Sequence, residues 1–218
     1  MNKIMLNKIL SLSLVIGALC LTAFAQEKSA DKMSGNKNDS MMTAKSISAE
    51  AAAKTALNVG AKMPAFSLQD SNGKSVSSDD LLKQGNLVVV FYRGSWCPFC
   101  ARQLADLRGL IKDGEKTRLY AVSIDSADKS NGLIKKIEKD GKGKINFAFL
   151  SDPQAKTIDA FGLRDPRYKD EAVNGIPYPT VYVVGSDRKI VWTKLEKDYK
   201  NRPTNAEIRA AIGKLKVK

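Results

Sequence analysis

The 218-residue chain contains no histidine. That absence removes Ser-His-Asp and Cys-His catalytic sets, His-ligated zinc, iron or copper, and imidazole proton shuttles. Cysteine is scarce as well, with only Cys20, Cys97 and Cys100. Two thiolates at Cys97 and Cys100, with no second pair and no imidazole, leave zinc two ligands short, so no metal and no cofactor are expected. The longest apolar run, residues 9–24, falls short of the ~20 residues a spanning helix needs, and no internal repeat is present. Length allows one domain of ordinary size plus an extra segment. The net charge is +13, from 36 basic and 23 acidic residues. The basic residues are scattered among acidic ones and no aromatic-rich single-strand motif accompanies them, so a solvated basic surface is expected and nucleic acid is not.

Residues 1–25 have the order of an export signal. Lys3 and Lys8 precede the apolar run, which is followed by Ala23-Phe24-Ala25, a small-x-small pattern suited to cleavage after Ala25. The expectation is an exported protein, periplasmic or secreted, with no stable membrane insertion once the segment is removed. Cleavage would take Cys20 away and lower the charge from +13 to +11 through loss of Lys3 and Lys8. Residues 26–55 are rich in Ser, Lys, Asp, Asn and Ala, too polar to offset their ordering entropy, and read as a flexible linker. Within it, Met33, Met41 and Met42 are soft thioether candidates for copper(I), with flexible filler as the simpler account.

From residue 56 to 218 the pattern is that of one α/β domain. Asn72-Gly73 between two short polar-apolar stretches signals a hairpin. Leu87-Val88-Val89-Val90-Phe91 is continuously apolar, which suits a central strand covered on both faces. Cys100, Leu104, Leu107 and Ile111 recur at helical spacing and form one buried stripe. Residues 119–124 and 147–150 read as strands, and residues around 133–137 and 158–161 as helices. Near the end, residues 181–184 and 190–193 flank a Ser186-Asp187 turn. A last helix carries a capping box at Thr204 and Glu207, with Ile208, Ala211, Ile212 and Leu215 on its inner face. The order βαβ then ββα predicts a thioredoxin-like three-layer sandwich with a central mixed sheet and an N-terminal hairpin extension.

The chemical centre is Trp96-Cys97-Pro98-Phe99-Cys100. A Cys-x-x-Cys pair where a buried strand gives way to a helix is a redox dithiol signature. Cys97 falls at the helix cap and Pro98 at the first helical position, where unpaired backbone N–H groups favour a thiolate, with Arg93 adding to that field. A free thiol at ~8.5 is about 3% ionised at neutral pH, whereas one lowered to ~7 is half ionised. Cys97 is therefore the expected nucleophile, and Cys100, one turn inside, the less exposed resolving thiol. As a structural staple the pair is weak: closing a loop of about four residues gains only ~1.9 kcal/mol, against ~3 for fifteen.

The stretch from Val88 to Cys100, with Gln103-Leu104 after it, resembles the peroxiredoxin-like branch of the alkyl hydroperoxide reductase and thiol-specific antioxidant family. Ser151-Asp152-Pro153 with Phe161-Gly162 is similar to that family's next strand and helix. The stretch from Val183 to Ile190 is similar to its late hairpin. The resemblance spans about residues 60–195. Members carry Thr-x-x-Cys with the cysteine attacking peroxide; on that register their cysteine falls on Cys100 and their threonine on Cys97. The proline expected before the motif is Arg93 here, and the family's arginine before the late strand is replaced by Tyr178-Pro179. Trp96-Cys97-x-x-Cys100 is also similar to thioredoxin. That resemblance implies a cis Tyr178–Pro179 bond before Thr180, with neighbouring backbone free to pair with an incoming peptide.

Two enzymatic readings follow. In the first, a thiol-disulfide oxidoreductase, Cys97 attacks a disulfide of a protein partner and Cys100 displaces the product. In the second, a thiol peroxidase, Cys100 attacks a peroxide and condenses with Cys97, and Arg93 or Arg102 stabilises the departing hydroxide. A noncatalytic binding module is the third reading, and the scattered charge fits it poorly.

Overall fold

The computed structural model describes residues 55–169 and 172–215. The expected signal segment, Cys20, the three linker methionines and all of the linker but Thr55 lie outside the described residues. The elements run β1 (Ser67–Asp70), β2 (Ser75–Ser77), α1 (Ser78–Lys83), β3 (Asn86–Phe91), α2 (Pro98–Asp106), β4 (Thr117–Ser123) and α3 (Ala127–Glu138). They continue with β5 (Ala148–Ser151), α4 (Lys156–Ala160), β6 (Thr180–Val184), β7 (Ile190–Leu195) and α5 (Asn205–Ile212). The strands form one seven-stranded sheet in the order β2-β1-β5-β4-β3-β6-β7. β3, β4 and β5 are parallel neighbours, while β6, β7 and the opening hairpin join antiparallel, so the sheet is mixed as expected.

β3 explains the layers. Leu87 through Phe91 are all fully buried, because successive side chains leave on opposite faces and both faces are covered. Val88, Val90 and Tyr92 pack with Leu104 of α2, Leu133 and Ile137 of α3, and Ile208 and Ala211 of α5. Leu87, Val89 and Phe91 pack on the other face with Leu81 and Leu82 of α1 and Ile158 of α4. The opening hairpin turns on Asp70, whose carboxylate accepts the N–H groups of Asn72 (2.8 Å) and Lys74 (2.9 Å). α5 starts at the expected capping box: Thr204 Oγ1 accepts the Glu207 N–H, and Glu207 Oε2 accepts the Thr204 N–H at 2.7 Å.

The Tyr178–Pro179 bond is trans, contrary to the cis expectation. The reason is local pairing. The Tyr178 N–H donates to Leu163 O (2.8 Å) and the Glu196 N–H donates to Pro179 O (2.9 Å), so an extended chain is bonded on both sides as it enters β6. The same two bonds correct a second expectation: the backbone beside Pro179 is occupied and not open to an incoming peptide.

Candidate active site

The site lies where β3 ends. Thr180 pairs with Phe91 across the sheet, which brings Tyr178 and Pro179 to the same end as the loop from Tyr92 to Trp96. That loop makes a tight turn. The Cys97 N–H donates to Gly94 O (3.1 Å), and the Ser95 N–H donates to Asp125 Oδ2 (2.7 Å). Gly94 has φ +155°, and a β-carbon there would lie 2.6 Å from the Trp96 indole nitrogen, so the turn excludes a side chain. Burial holds the Asp125 carboxyl above its usual range, partly offset by the Ser95 N–H it accepts.

Cys97 caps α2 with an extended backbone and Pro98 follows in the first helical turn, as the sequence implies. The two thiols are unbonded. Cys97 is held far below an ordinary thiol, to about 5, first because the Cys100 S–H donates to it. Burial opposes this; the Cys100 backbone N–H and the charges of Arg202 and Arg93 assist. Cys100 is pushed well up, by the hydrogen bond its own proton makes to Cys97 and by burial. The pair thus shares one proton, kept on Cys100, and presents one thiolate at Cys97. One expectation is corrected: Cys97 is no more accessible than Cys100, since both sulfur residues are buried, at 1% and 0% exposure.

Both cysteines belong to the core cluster beneath the sheet, and rings from distant segments gather around Arg93 nearby. The Arg93 guanidinium lies 4.7 Å from the Trp96 ring, 4.7 Å from Tyr168 and 4.5 Å from Tyr199. Tyr199 also meets Phe99 edge-on at 5.7 Å. Arg93 is itself buried, and three π faces supply negative potential to its charge. Trp96 is the exposed member, at 53%. Arg202 reaches the pair from the loop before α5: its Nη2 donates to Cys100 Sγ at 3.0 Å, while Nη1 donates to the carbonyl oxygens of Tyr199 (2.6 Å) and Asn201 (2.5 Å).

The structure therefore brings Cys97, Cys100, Trp96, Phe99 and Arg93 together, with Pro98 exposed on the rim. Tyr178, Pro179 and Thr180 are buried at the same end of the sheet. There Thr180 Oγ1 donates to Tyr178 O (2.9 Å), and the Tyr178 ring faces the Arg167 guanidinium at 5.2 Å. Arg102 is not at a sulfur; it is exposed, 6.0 Å from the Phe99 ring, and the position it was expected to share is filled by Arg202. Sequence reasoning missed Arg202, Tyr168 and Tyr199. The one available signal was Arg202-Pro203-Thr204 directly before a helix cap. Among the described residues no cluster of acidic and thiol groups has the number of ligands a metal ion needs.

Comparison with known proteins agrees with this architecture. The AhpC/TSA family pattern matches residues 59–193. A putative peroxiredoxin of Mycobacterium tuberculosis is 34% identical over 138 residues, covering 63% of this chain and 84% of that one. The 1-Cys peroxiredoxin PER1 of Triticum aestivum is 27% identical over 157 residues, 71% of each chain. Among solved structures, the peroxidoxin BcpB of Mycobacterium tuberculosis superimposes with a TM-score of 0.59 at 20% identity, over 74% of this chain and 99% of that one. The fold is thioredoxin-like, the chemistry is that of a thiol oxidoreductase, and the chain belongs to the AhpC/TSA family.

Proposed function

We propose that this protein is a two-cysteine thiol peroxidase, exported on the leader-like segment at residues 1–25, in which Cys97 is the attacking thiolate and Cys100 resolves. The observation that carries the reading is the burial of a low-pKa thiolate: Cys97 is held to about 5 yet is 1% exposed. A protein disulfide needs an accessible sulfur and a free backbone edge beside it, and the edge at Tyr178-Pro179 is already bonded. A peroxide presents two oxygens and needs far less room. The family membership points the same way.

In the first step the Cys97 thiolate forms a sulfur–oxygen bond to the peroxide as the oxygen–oxygen bond breaks. The departing alkoxide or hydroxide takes a proton and leaves as alcohol or water, and Cys97 becomes a sulfenic acid, oxidised by two electrons. Arg202 and Arg93 stabilise the charge on both sides of this transfer. The Cys100 thiol then attacks the Cys97 sulfur, hydroxide leaves and takes the thiol proton as water, and a Cys97–Cys100 disulfide remains. Two external thiols restore the pair.

A second assignment has Cys100 as the attacking sulfur. It is favoured by the Arg202 contact at 3.0 Å and by the family register. Peroxide consumption by Cys97→Ser and Cys100→Ser separates the two. Cys97→Ser is expected to abolish it, while Cys100→Ser gives a single turnover and leaves a sulfenic acid at Cys97 that a dimedone probe captures. Retained peroxide consumption in Cys97→Ser overturns the assignment. Insulin reduction faster than peroxide reduction overturns the peroxidase reading in favour of disulfide exchange.

A further inference from the structure

One peptide unit between the end of β3 and Cys97 is gripped at both ends. The Ser95 N–H donates to Asp125 Oδ2 at 2.7 Å, and the Gly94 carbonyl oxygen of the same peptide accepts the Cys97 N–H at 3.1 Å. A peptide unit is planar, so it cannot swing away from the carboxylate without also turning its oxygen from Cys97. Donation to a carboxylate polarises the amide and strengthens the bond its carbonyl accepts. Asp125 is in turn fixed by the sheet. Its N–H donates to Ser123 Oγ at 3.1 Å, and its carbonyl oxygen accepts from Ser151 Oγ, at the end of β5, at 2.6 Å. Asp125 is 3% exposed. The hydroxyls of Tyr92 and Ser123 face its carboxyl, and Lys129 of α3 supplies a positive charge. Asp125 Oδ1 also lies 3.4 Å from the point that a β-carbon on Gly94 would occupy, so the acid packs against the glycine as well as bonding beyond it. Burying a carboxylate is costly, and the peroxide cycle above gives this one no step.

We propose that Asp125 is a positioning residue of the active site, which acts through the Gly94–Ser95 peptide to hold Cys97 at the start of α2. The assignment rests on Cys97 being the attacking thiolate. Asp125 works through the backbone and exchanges no proton with the peroxide. Its two possible effects on Cys97 have opposite signs, which makes them separable. As a bare negative charge, Asp125 disfavours a nearby thiolate, so removing it would lower the pH at which Cys97 ionises. As a support, it keeps Cys97 within reach of the Cys100 thiol, the Cys100 N–H and the charges of Arg202 and Arg93. Removing the support weakens those contacts and raises the same midpoint.

The test measures the pH midpoint of Cys97 alkylation, and kcat/KM for hydrogen peroxide, in Asp125→Ala, Asp125→Asn and Ser151→Ala. Alanine removes the acceptor. Asparagine keeps an acceptor oxygen and removes the charge. The serine variant leaves the carboxylate but frees its backbone from β5. Midpoints are read from singly alkylated protein, because an unfolded chain exposes both sulfurs. In Asp125→Ala the midpoint is expected to rise by about one unit, a tenfold change in ionisation. At about pH 5 the thiolate fraction then drops from about a half to about a tenth, and kcat/KM falls about fivefold with it. Asp125→Asn should stay within about twofold of the parent protein in ionisation. An unmoved or lowered midpoint in Asp125→Ala overturns the proposal, and so does an equal rise in Asp125→Asn, where the Ser95 bond is retained. Ser151→Ala should raise the ionisation midpoint by about threefold, and it decides the matter if Asp125→Ala does not fold: a parental midpoint there overturns the proposal. Parent protein that consumes no peroxide refutes the peroxidase reading, while the midpoints still decide the role of Asp125.

Discussion

Replacing Cys100 with alanine removes the largest influence holding Cys97 ionised, the S–H donated by its neighbour. A hydrogen bond to a charged acceptor contributes about 1.5–3 kcal/mol, which at about 1.4 kcal/mol per unit is one to two units of pKa. Both sulfurs are buried, so solvent screening does little to reduce that figure. Cys97 should therefore move from about 5 to between about 6 and about 7. At about pH 6 its thiolate fraction falls from about nine-tenths to between about a half and about a tenth. The assay is the rate of iodoacetamide alkylation at Cys97 across acidic to alkaline pH, with the thiolate ultraviolet absorbance as a second readout. Alkylation rises as pH climbs through the midpoint, so a raised pKa displaces the curve to higher pH. Lower basicity also lowers the plateau rate, which leaves the midpoint untouched. Cys100→Ser keeps an O–H donor and should lie between alanine and the parent protein. A parent midpoint near the ~8.5 of a free thiol, or no displacement in the alanine variant, refutes the account of how the pair shares its proton.

Leu104→Ala removes a fully buried side chain that seats α2 under the sheet; a loss of about 2–5 kcal/mol is expected in urea unfolding, and a loss below that range would mean the helix does not depend on this contact. Thr204→Ala breaks the capping box of α5 and should cost about 1 kcal/mol. Because Thr204 is two residues from Arg202, the same variant should raise the Cys97 alkylation midpoint, and a loss of stability with an unmoved midpoint would show that the cap does not position the arginine.

The frame was legible wherever the sequence repeats at the period of an element. The continuous apolar run of β3 gave a strand buried on both faces, the 100/104/107 spacing gave the stripe of α2, and Thr204 with Glu207 gave the cap of α5. The redox pair was legible because Cys97-Pro98 carries its own local signal for a helix start. What surrounds that pair was not. Arg202, Tyr168 and Tyr199 stand in segments with no helical or strand period; Arg202 reaches Cys100 across 102 residues, and the two tyrosine rings meet Arg93 from comparably remote positions. Nothing local records such a contact. The trans geometry at Tyr178-Pro179 was hidden for the same reason, since it is set by Leu163 and Glu196.

The choice of partners for the buried Arg93 and the half-buried Arg202 follows from what the thiolate needs. A carboxylate beside Arg93 or Arg202 would settle the cost of burying the guanidinium, but it would also take up the positive charge and repel a second anion nearby. Aromatic faces around Arg93 and carbonyl oxygens around Arg202 supply negative potential without a full charge and without a site for a proton. Both cations therefore stay stabilised while one unit of negative charge remains wanting at their centre. Cys97 is the group placed to provide it. The same arrangement makes the oxidised protein differ from the reduced one: once the sulfurs bond to each other, no anion remains for Arg93 and Arg202 to stabilise.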